Sequence, residues 1–235
     1  VSSPSVSVVI PALNEEKSIP FVLKDLRSIP GLDLREIIVV DNGSTDDTKN
    51  AAASNGAVVL QESQRGYGAA CLKGLERIFN SPALPDLIAF VDADYSDSPS
   101  ELILLTQALL DHNADLVIGS RVLGDSQKGS LMPVQRFGNR LATTLIRILY
   151  GMKFTDLGPF RVIRSDILKK LNMQDRNFGW TVEMQVKAAK LGLRCVEVPV
   201  SYKKRIGVSK VSGTISGSIL AGWKILYTIG KLHSK

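Results

Sequence analysis

The chain has 235 residues, of which 44% are hydrophobic, 22% charged and 6% aromatic, a balance that suits one large globular domain and excludes disorder, collagen-like repetition and a coiled coil. Two cysteines and two histidines exclude a disulfide framework, a structural zinc site and a multi-histidine metal centre. The 29 basic and 23 acidic residues leave a net charge of +6, which favours anionic partners without choosing among nucleotides, phospholipid surfaces and nucleic acid.

Val6–Ile10 (VSVVI) is a near-continuous apolar run, as expected for a strand buried on both faces, and it stops at Pro11. Glu15–Arg27 follows with helical spacing through Ile19, Val22, Leu23 and Leu26. Glu36–Val40 reads as a second strand, ending at Asp41 in the turn Asn42-Gly43-Ser44, with Thr45 or Asp46 placed to cap a helix to Asn55. Ala57–Gln61, Asp86–Val91 and Asp115–Gly119 are the next strands, separated by helices over Tyr67–Phe79 and Pro99–Asp111. Past residue 120 the rhythm changes. Val122–Gly129 reads as a loop and Leu131–Tyr150 as a long helix carrying Arg136, Arg140 and Arg147. Strands at Phe160–Ile163 and Cys195–Val200 flank a helix at Thr181–Leu191. Arg205–Ser212 is a basic, glycine-containing loop, and Gly213–Leu232 a final helix.

The alternation predicts an α/β fold, a Rossmann-like and mostly parallel sheet flanked by helices, with ligands at the carboxyl ends of its strands. The chain is expected to form a single domain over residues 1–235, with an elaboration after residue 120. No basic segment followed by an apolar one opens the chain, and no run of about 18 uncharged apolar residues occurs, so neither a signal peptide nor a spanning helix is expected. A reducing, cytoplasmic compartment is the corresponding expectation.

The polar residues at strand ends carry the chemistry. Asp92-Ala93-Asp94 closes the fourth strand, and residues i and i+2 of an extended segment point the same way. Two converging acids need a compensating cation, and oxygen ligands of this kind suit Mg²⁺ or Mn²⁺ completed by phosphates and water. Alternatively the pair caps the helix that follows. Arg65-Gly66-Tyr67-Gly68-Ala69-Ala70 precedes a helix, where free amides favour phosphate, although such a turn also serves simply to start the helix. It is neither a P-loop nor a dinucleotide fingerprint.

Three segments in order, Val8–Glu15 (VVIPALNE), Val39–Asp46 (VVDNGSTD) and Phe90–Asp94 (FVDAD), resemble the family 2 inverting glycosyltransferases of the GT-A fold. Gly119-Ser120-Arg121, Gly158-Pro159-Phe160-Arg161, and Arg205 with Gly207, Ser209 and Lys210 resemble the polyprenol-phosphate hexosyltransferases, the dolichol-phosphate mannose synthase group. The resemblance covers nearly the whole chain. It implies a nucleotide-sugar-binding half over residues 1–120 and an acceptor-binding half over 121–235. Pro11, Leu13, Asn14 and Glu15 would line the nucleotide pocket, with Asp41 on the base and Lys73 nearby. Asp92, Ala93 and Asp94 would face the nucleotide, with Asp92 at the metal shell and Asp94 on the Mg²⁺ or Mn²⁺ that bridges the donor diphosphate. Arg121, Arg136, Arg161, Arg205, Ser209 and Lys210 would hold the acceptor phosphate or the diphosphate. Ser96 stands where the family often has Gln, which leaves the third protein ligand open, with Asp97 as a candidate.

A UDP- or GDP-sugar donor and a polyprenyl-phosphate acceptor follow from that resemblance. A lipid phosphate is already anionic and needs little base assistance, but two phosphates repel, and guanidinium groups answer this. Asp156 and Glu183 are the acids left to act as base or to orient sugar hydroxyls. Asp156 can also simply open a turn, and Glu183 can pair with Lys187 at helical spacing. The last helix offers an apolar face, Ile215, Ile219, Leu220, Trp223, Leu226, Tyr227 and Ile229, with Lys224, Lys231 and Lys235 for anionic headgroups. That face suits peripheral contact with the cytoplasmic side of a membrane, or packing on the domain or on a second copy in a homodimer. A saccharide or other hydroxyl acceptor is the alternative, and it would require a carboxylate base. A nucleotidyltransferase would want a glycine-rich, basic segment after the first strand, which is missing. No nucleic-acid partner is expected, because aromatic residues do not interleave with Lys and Arg.

Overall fold

The computed structural model describes residues 3–207 and 215–233, the side chains of the final helix from residue 222 onward. In chain order the elements are β1 (Ser5–Ala12), α1 (Ile19–Arg27), β2 (Asp33–Asp41), α2 (Thr48–Ser54), β3 (Val58–Gln61), α3 (Tyr67–Phe79) and β4 (Leu87–Phe90). A 3-10 turn (Pro99–Glu101) leads into α4 (Leu102–Asp111), followed by β5 (Leu116–Ser120), α5 (Pro133–Tyr150) and β6 (Arg161–Arg164). Then come α6 (Ser165–Leu171), α7 (Trp180–Lys190), β7 (Cys195–Pro199) and α8 (Ile215–His233).

The seven strands form one sheet in the order β3-β2-β1-β4-β6-β5-β7. All neighbours are parallel except β6, which is inserted between β4 and β5 and runs antiparallel to both. Strands from both sides of residue 120 therefore share one sheet, and the change of rhythm in the sequence marks no break in it. Alternating side chains of the central strands enter two cores. Val8, Ile10, Val39 and Ala89 pack with α1 and α4 on one face, and Val9, Ile38, Val40, Ile88 and Phe90 with α3, α5 and α7 on the other. This explains why β1, β2 and β4 read as continuous apolar runs rather than alternating ones.

Several boundaries shift for local reasons. The helix expected from Glu15 begins at Ile19, because the Glu15 carbonyl instead closes a turn onto the N–H groups of Ser18 and Ile19 at 3.1 and 3.0 Å. The N-cap of α2 is Asp47, neither of the two expected residues, although Asp46 just before it accepts the Thr48 N–H at 3.1 Å. The seven-residue α6 was not anticipated. The final helix is sewn into the fold: Tyr150 Oη donates to the Ile229 carbonyl at 2.6 Å and Lys190 Nζ to that of Leu232 at 2.9 Å. Thr228 and Ile229 are buried there, while Trp223, Leu226 and Tyr227 face outward. No described helix is long and apolar enough to cross a membrane.

Candidate functional site

A cavity of about 430 Å³ opens at the carboxyl edge of β1 and β4. Pro11, Leu13 and Glu15 form one wall and Asp92, Ala93 and Asp94 the floor, so eight of the expected residues, counting Arg121 and Arg205, come together. Asn42, Arg65, Tyr67, Gln135, Phe178 and Tyr202 complete it and were not assigned from sequence.

The two floor acids are held differently. Tyr67 Oη donates to Asp92 Oδ1 at 3.1 Å, and burial, with Asp94 close by, pushes the Asp92 carboxyl up to about 7. Asp94 is 7% exposed, and its Oδ1 accepts the Ser96 N–H at 2.9 Å and the Ser96 hydroxyl at 2.6 Å. Its Oδ2 lies 3.2 Å from Arg205 Nη1, whose other terminal nitrogen lies 2.6 Å from Glu15 Oε1. Ser96 thus orients Asp94 rather than reaching a ligand. The Asp97 carboxyl, a candidate for a third ligand, is 1% exposed, lies outside the cavity wall and has no hydrogen-bond partner among the described residues. Burial holds it well above the usual carboxylate range. Among the described residues no group of three His, Cys, Asp or Glu side chains gathers to hold a metal. The oxygen-only Asp92–Asp94 pair still fits a hard divalent cation that takes its other ligands from phosphate and water.

The glycine turn is structural. Gly68 N–H donates to the Asn177 carbonyl at 3.2 Å and Ala69 N–H to that of Arg176 at 2.8 Å, so those amides are not available to phosphate. A Cβ on Gly66 or Gly68 would lie 2.1 or 2.0 Å from the Arg176 or Asp175 carbonyl oxygen, so only glycine permits this approach. Asn42 organises the same corner, donating to the Glu62 and Gln64 carbonyls and accepting the Gly66 N–H at 2.8 Å. Asn14 and Asp41, expected on the nucleotide, are not in the cavity wall. Asn14, at φ 53°, clasps the 44–45 turn, accepting the Thr45 N–H at 2.7 Å, and Asp41 accepts the Ser44 N–H at 3.1 Å. Lys73 points elsewhere and pairs with Glu76 at 2.8 Å.

A second cavity, of about 760 Å³, adjoins the first through Arg121 and Gln135. Arg136 and Arg140 line it, and among the described residues neither has an acidic partner. Arg121 sits at the junction. Its N–H, Nε and Nη2 all donate to the Asp156 carboxylate, at 2.8, 2.8 and 2.7 Å. Burial acts against the Asp156 charge, but Arg121 outweighs it and holds the carboxyl below its ordinary range. Asp156 lines this second cavity and its carboxylate is committed to anchoring Arg121. Glu183 stands apart from both cavities. It accepts the N–H groups of Gln174 and Asp175, and pairs with Lys187 at 2.7 Å. Arg161 is fully buried, and burial lowers its guanidinium to about 10. It donates to the Thr181 carbonyl at 3.1 Å and to the Leu157 and Gly158 carbonyls, and so cannot meet an acceptor. Ser209 and Lys210 lie outside the described residues.

The model of Glycosyl transferase family 2 matches residues 7–172. An uncharacterized glycosyltransferase of Mycobacterium tuberculosis strain H37Rv is 40% identical over 227 residues, 94% of this chain and 98% of that protein. An undecaprenyl-phosphate mannosyltransferase of Micrococcus luteus is 32% identical over 228 residues, 90% of this chain and 89% of that one. Among solved structures, glucosyl-3-phosphoglycerate synthase of M. tuberculosis with Mn²⁺, UDP and glucosyl-3-phosphoglycerate superposes with a TM-score of 0.77 at 22% identity, over 98% of this chain and 80% of that one. That likeness establishes a shared GT-A type fold. Taken with the strand-end acids on the floor of one cavity, the family model and the two relatives show that this chain belongs to glycosyl transferase family 2.

Proposed function

We propose that this glycosyltransferase moves a hexose from a UDP- or GDP-sugar to a polyprenyl phosphate, at a membrane surface, within a single GT-A domain. The observation that carries the reading is the second cavity: Arg136 and Arg140, without acidic partners among the described residues, joined at Arg121 to the cavity of Asp92 and Asp94. An acceptor oxyanion held by these guanidiniums is drawn toward the donor despite the repulsion of its diphosphate. Attack from the face opposite the leaving group inverts the anomeric centre. Because the acceptor is already ionised, it needs neither Asp156 nor Glu183 as a base, whereas a saccharide hydroxyl would need one. Asp94, with Asp92 beside it, would hold Mg²⁺ or Mn²⁺, which would supply positive charge against the departing diphosphate. The Micrococcus relative supports the acceptor class, and the outward apolar side chains of α5 and α8 support a lipid-bearing one.

The test is a panel of UDP- and GDP-hexoses with a short polyprenyl phosphate, 3-phosphoglycerate or a saccharide, with Mn²⁺ or Mg²⁺, read by product mass. A hexosyl polyprenyl phosphate is expected, and product on the other acceptors alone refutes the reading. Arg136→Glu with Arg140→Glu should raise the acceptor KM about tenfold or more, as expected for two lost charge-assisted contacts, while the donor KM stays unchanged.

A further inference from the structure

The segment after β7 returns to the first cavity and lies along the residues that follow β4. Tyr202 pairs with Asp97 in a backbone bridge, Lys203 N–H donates to the Ser96 carbonyl at 2.8 Å, and Ile206 N–H to the Asp94 carbonyl at 3.0 Å. These tethers set Arg205 over the two acids, with Nη1 at 3.2 Å from Asp94 Oδ2 and Nη2 at 2.6 Å from Glu15 Oε1. Ser96 already occupies the other oxygen of Asp94. Both Asp94 oxygens are thus engaged, and the cation in contact with the carboxylate is a side chain of the protein itself.

We propose that Arg205 and the divalent cation are alternative counter-ions of Asp94, a reading that rests on Asp94 being the cation's ligand. Arg205 neutralises Asp94 in the donor-free enzyme. A divalent ion on Oδ2 would stand within a few ångströms of the guanidinium, and two positive groups at that spacing repel. Arg205 therefore leaves Asp94 when the cation arrives. Glu15 keeps Nη2 as a pivot, and Nη1 turns to the donor diphosphate that accompanies the ion. The exchange makes the cation bind weakly alone and tightly with the nucleotide, because the displaced charge finds a new partner only when phosphate is present.

Mn²⁺ binding, read from the electron paramagnetic resonance of the free ion, tests this with and without UDP. Arg205→Ala should bind Mn²⁺ alone about fivefold more tightly than the wild type, as for release of a partly exposed ion pair. With UDP present it should bind more weakly than the wild type. Arg205→Lys should fall between, and Arg205→Gln repeats the comparison if the alanine variant fails to fold. A purely structural Arg205 would lower both affinities, so unchanged or weaker binding of Mn²⁺ alone overturns the exchange. Asp94→Asn separates the two levels: if it binds Mn²⁺ with UDP as the wild type does, the assignment of Asp94 itself fails.

Discussion

Arg121 donates three hydrogen bonds to Asp156 in a pocket where Asp156 is 1% exposed, so each stands in for much of the water the other has lost. Removing one partner strands the other. Asp156→Asn should cost about 3 kcal/mol or more in chemical denaturation. It should raise the acceptor KM while leaving the acidic limb of the pH–rate profile in place, whereas loss of a base would abolish that limb. The pH dependence has a definite sign. The folded carboxyl titrates below its unfolded value of about 3.9, so its contribution is complete at neutral pH and disappears as the pH falls through the folded value. The wild type should therefore lose stability more steeply than the asparagine variant below about pH 4.

At the scale of elements, the loop between α6 and α7 is a keystone that few of its own residues announce. Glu183 caps its start, Asp175 accepts the N–H groups of Asn177 and Gly179 and pairs with Lys224 of α8 at 2.9 Å, and its carbonyls receive the first amides of α3. Gly68→Ala should force that packing apart and cost about 1–3 kcal/mol, with a weakened donor KM. Gly138→Ala, in the middle of α5 with nothing within 4 Å of the added carbon, should instead stabilise by about 0.5–1 kcal/mol. Equal thermal shifts in the two variants would contradict the docking. The same loop shows why part of the site was illegible. The sequence displays Asp92 and Asp94 because strand ends announce themselves by the apolar run before them. Glu183, Arg161 and Lys73 look equivalent to functional charges until long-range packing turns one into a cap, buries another and points the third away. The antiparallel insertion of β6 is likewise a pairing between distant segments, with no local pattern to declare it.

The whole molecule presents one surface that its own core leaves uncovered. On α5, Val134, Phe137, Leu141 and Ile148 recur at helical spacing, with Phe137 70% and Ile148 71% exposed. Alongside packs α8, whose exposed Trp223 and Tyr227 rings stack at 5.2 Å. Arg136, Arg140 and Arg147 of α5 flank the patch, and two of them line the second cavity, so the apolar patch is continuous with the basic cavity wall. Lys224, expected to meet headgroups, pairs with Asp175 at 2.9 Å. Surface residues of this kind insert at the headgroup boundary and are drawn there by anionic lipid. The protein should sediment with phosphatidylglycerol vesicles at low salt, and less with phosphatidylcholine. Phe137→Glu with Ile148→Glu should reduce binding by about tenfold or more, since each removes an apolar side chain worth on the order of 1.5 kcal/mol. Turnover of a short, water-soluble polyprenyl phosphate should survive the double change, because neither residue lines either of the two site cavities. Absence of vesicle binding in the wild type, with a mass in solution that halves in the double variant, would assign the patch to a second copy of the chain.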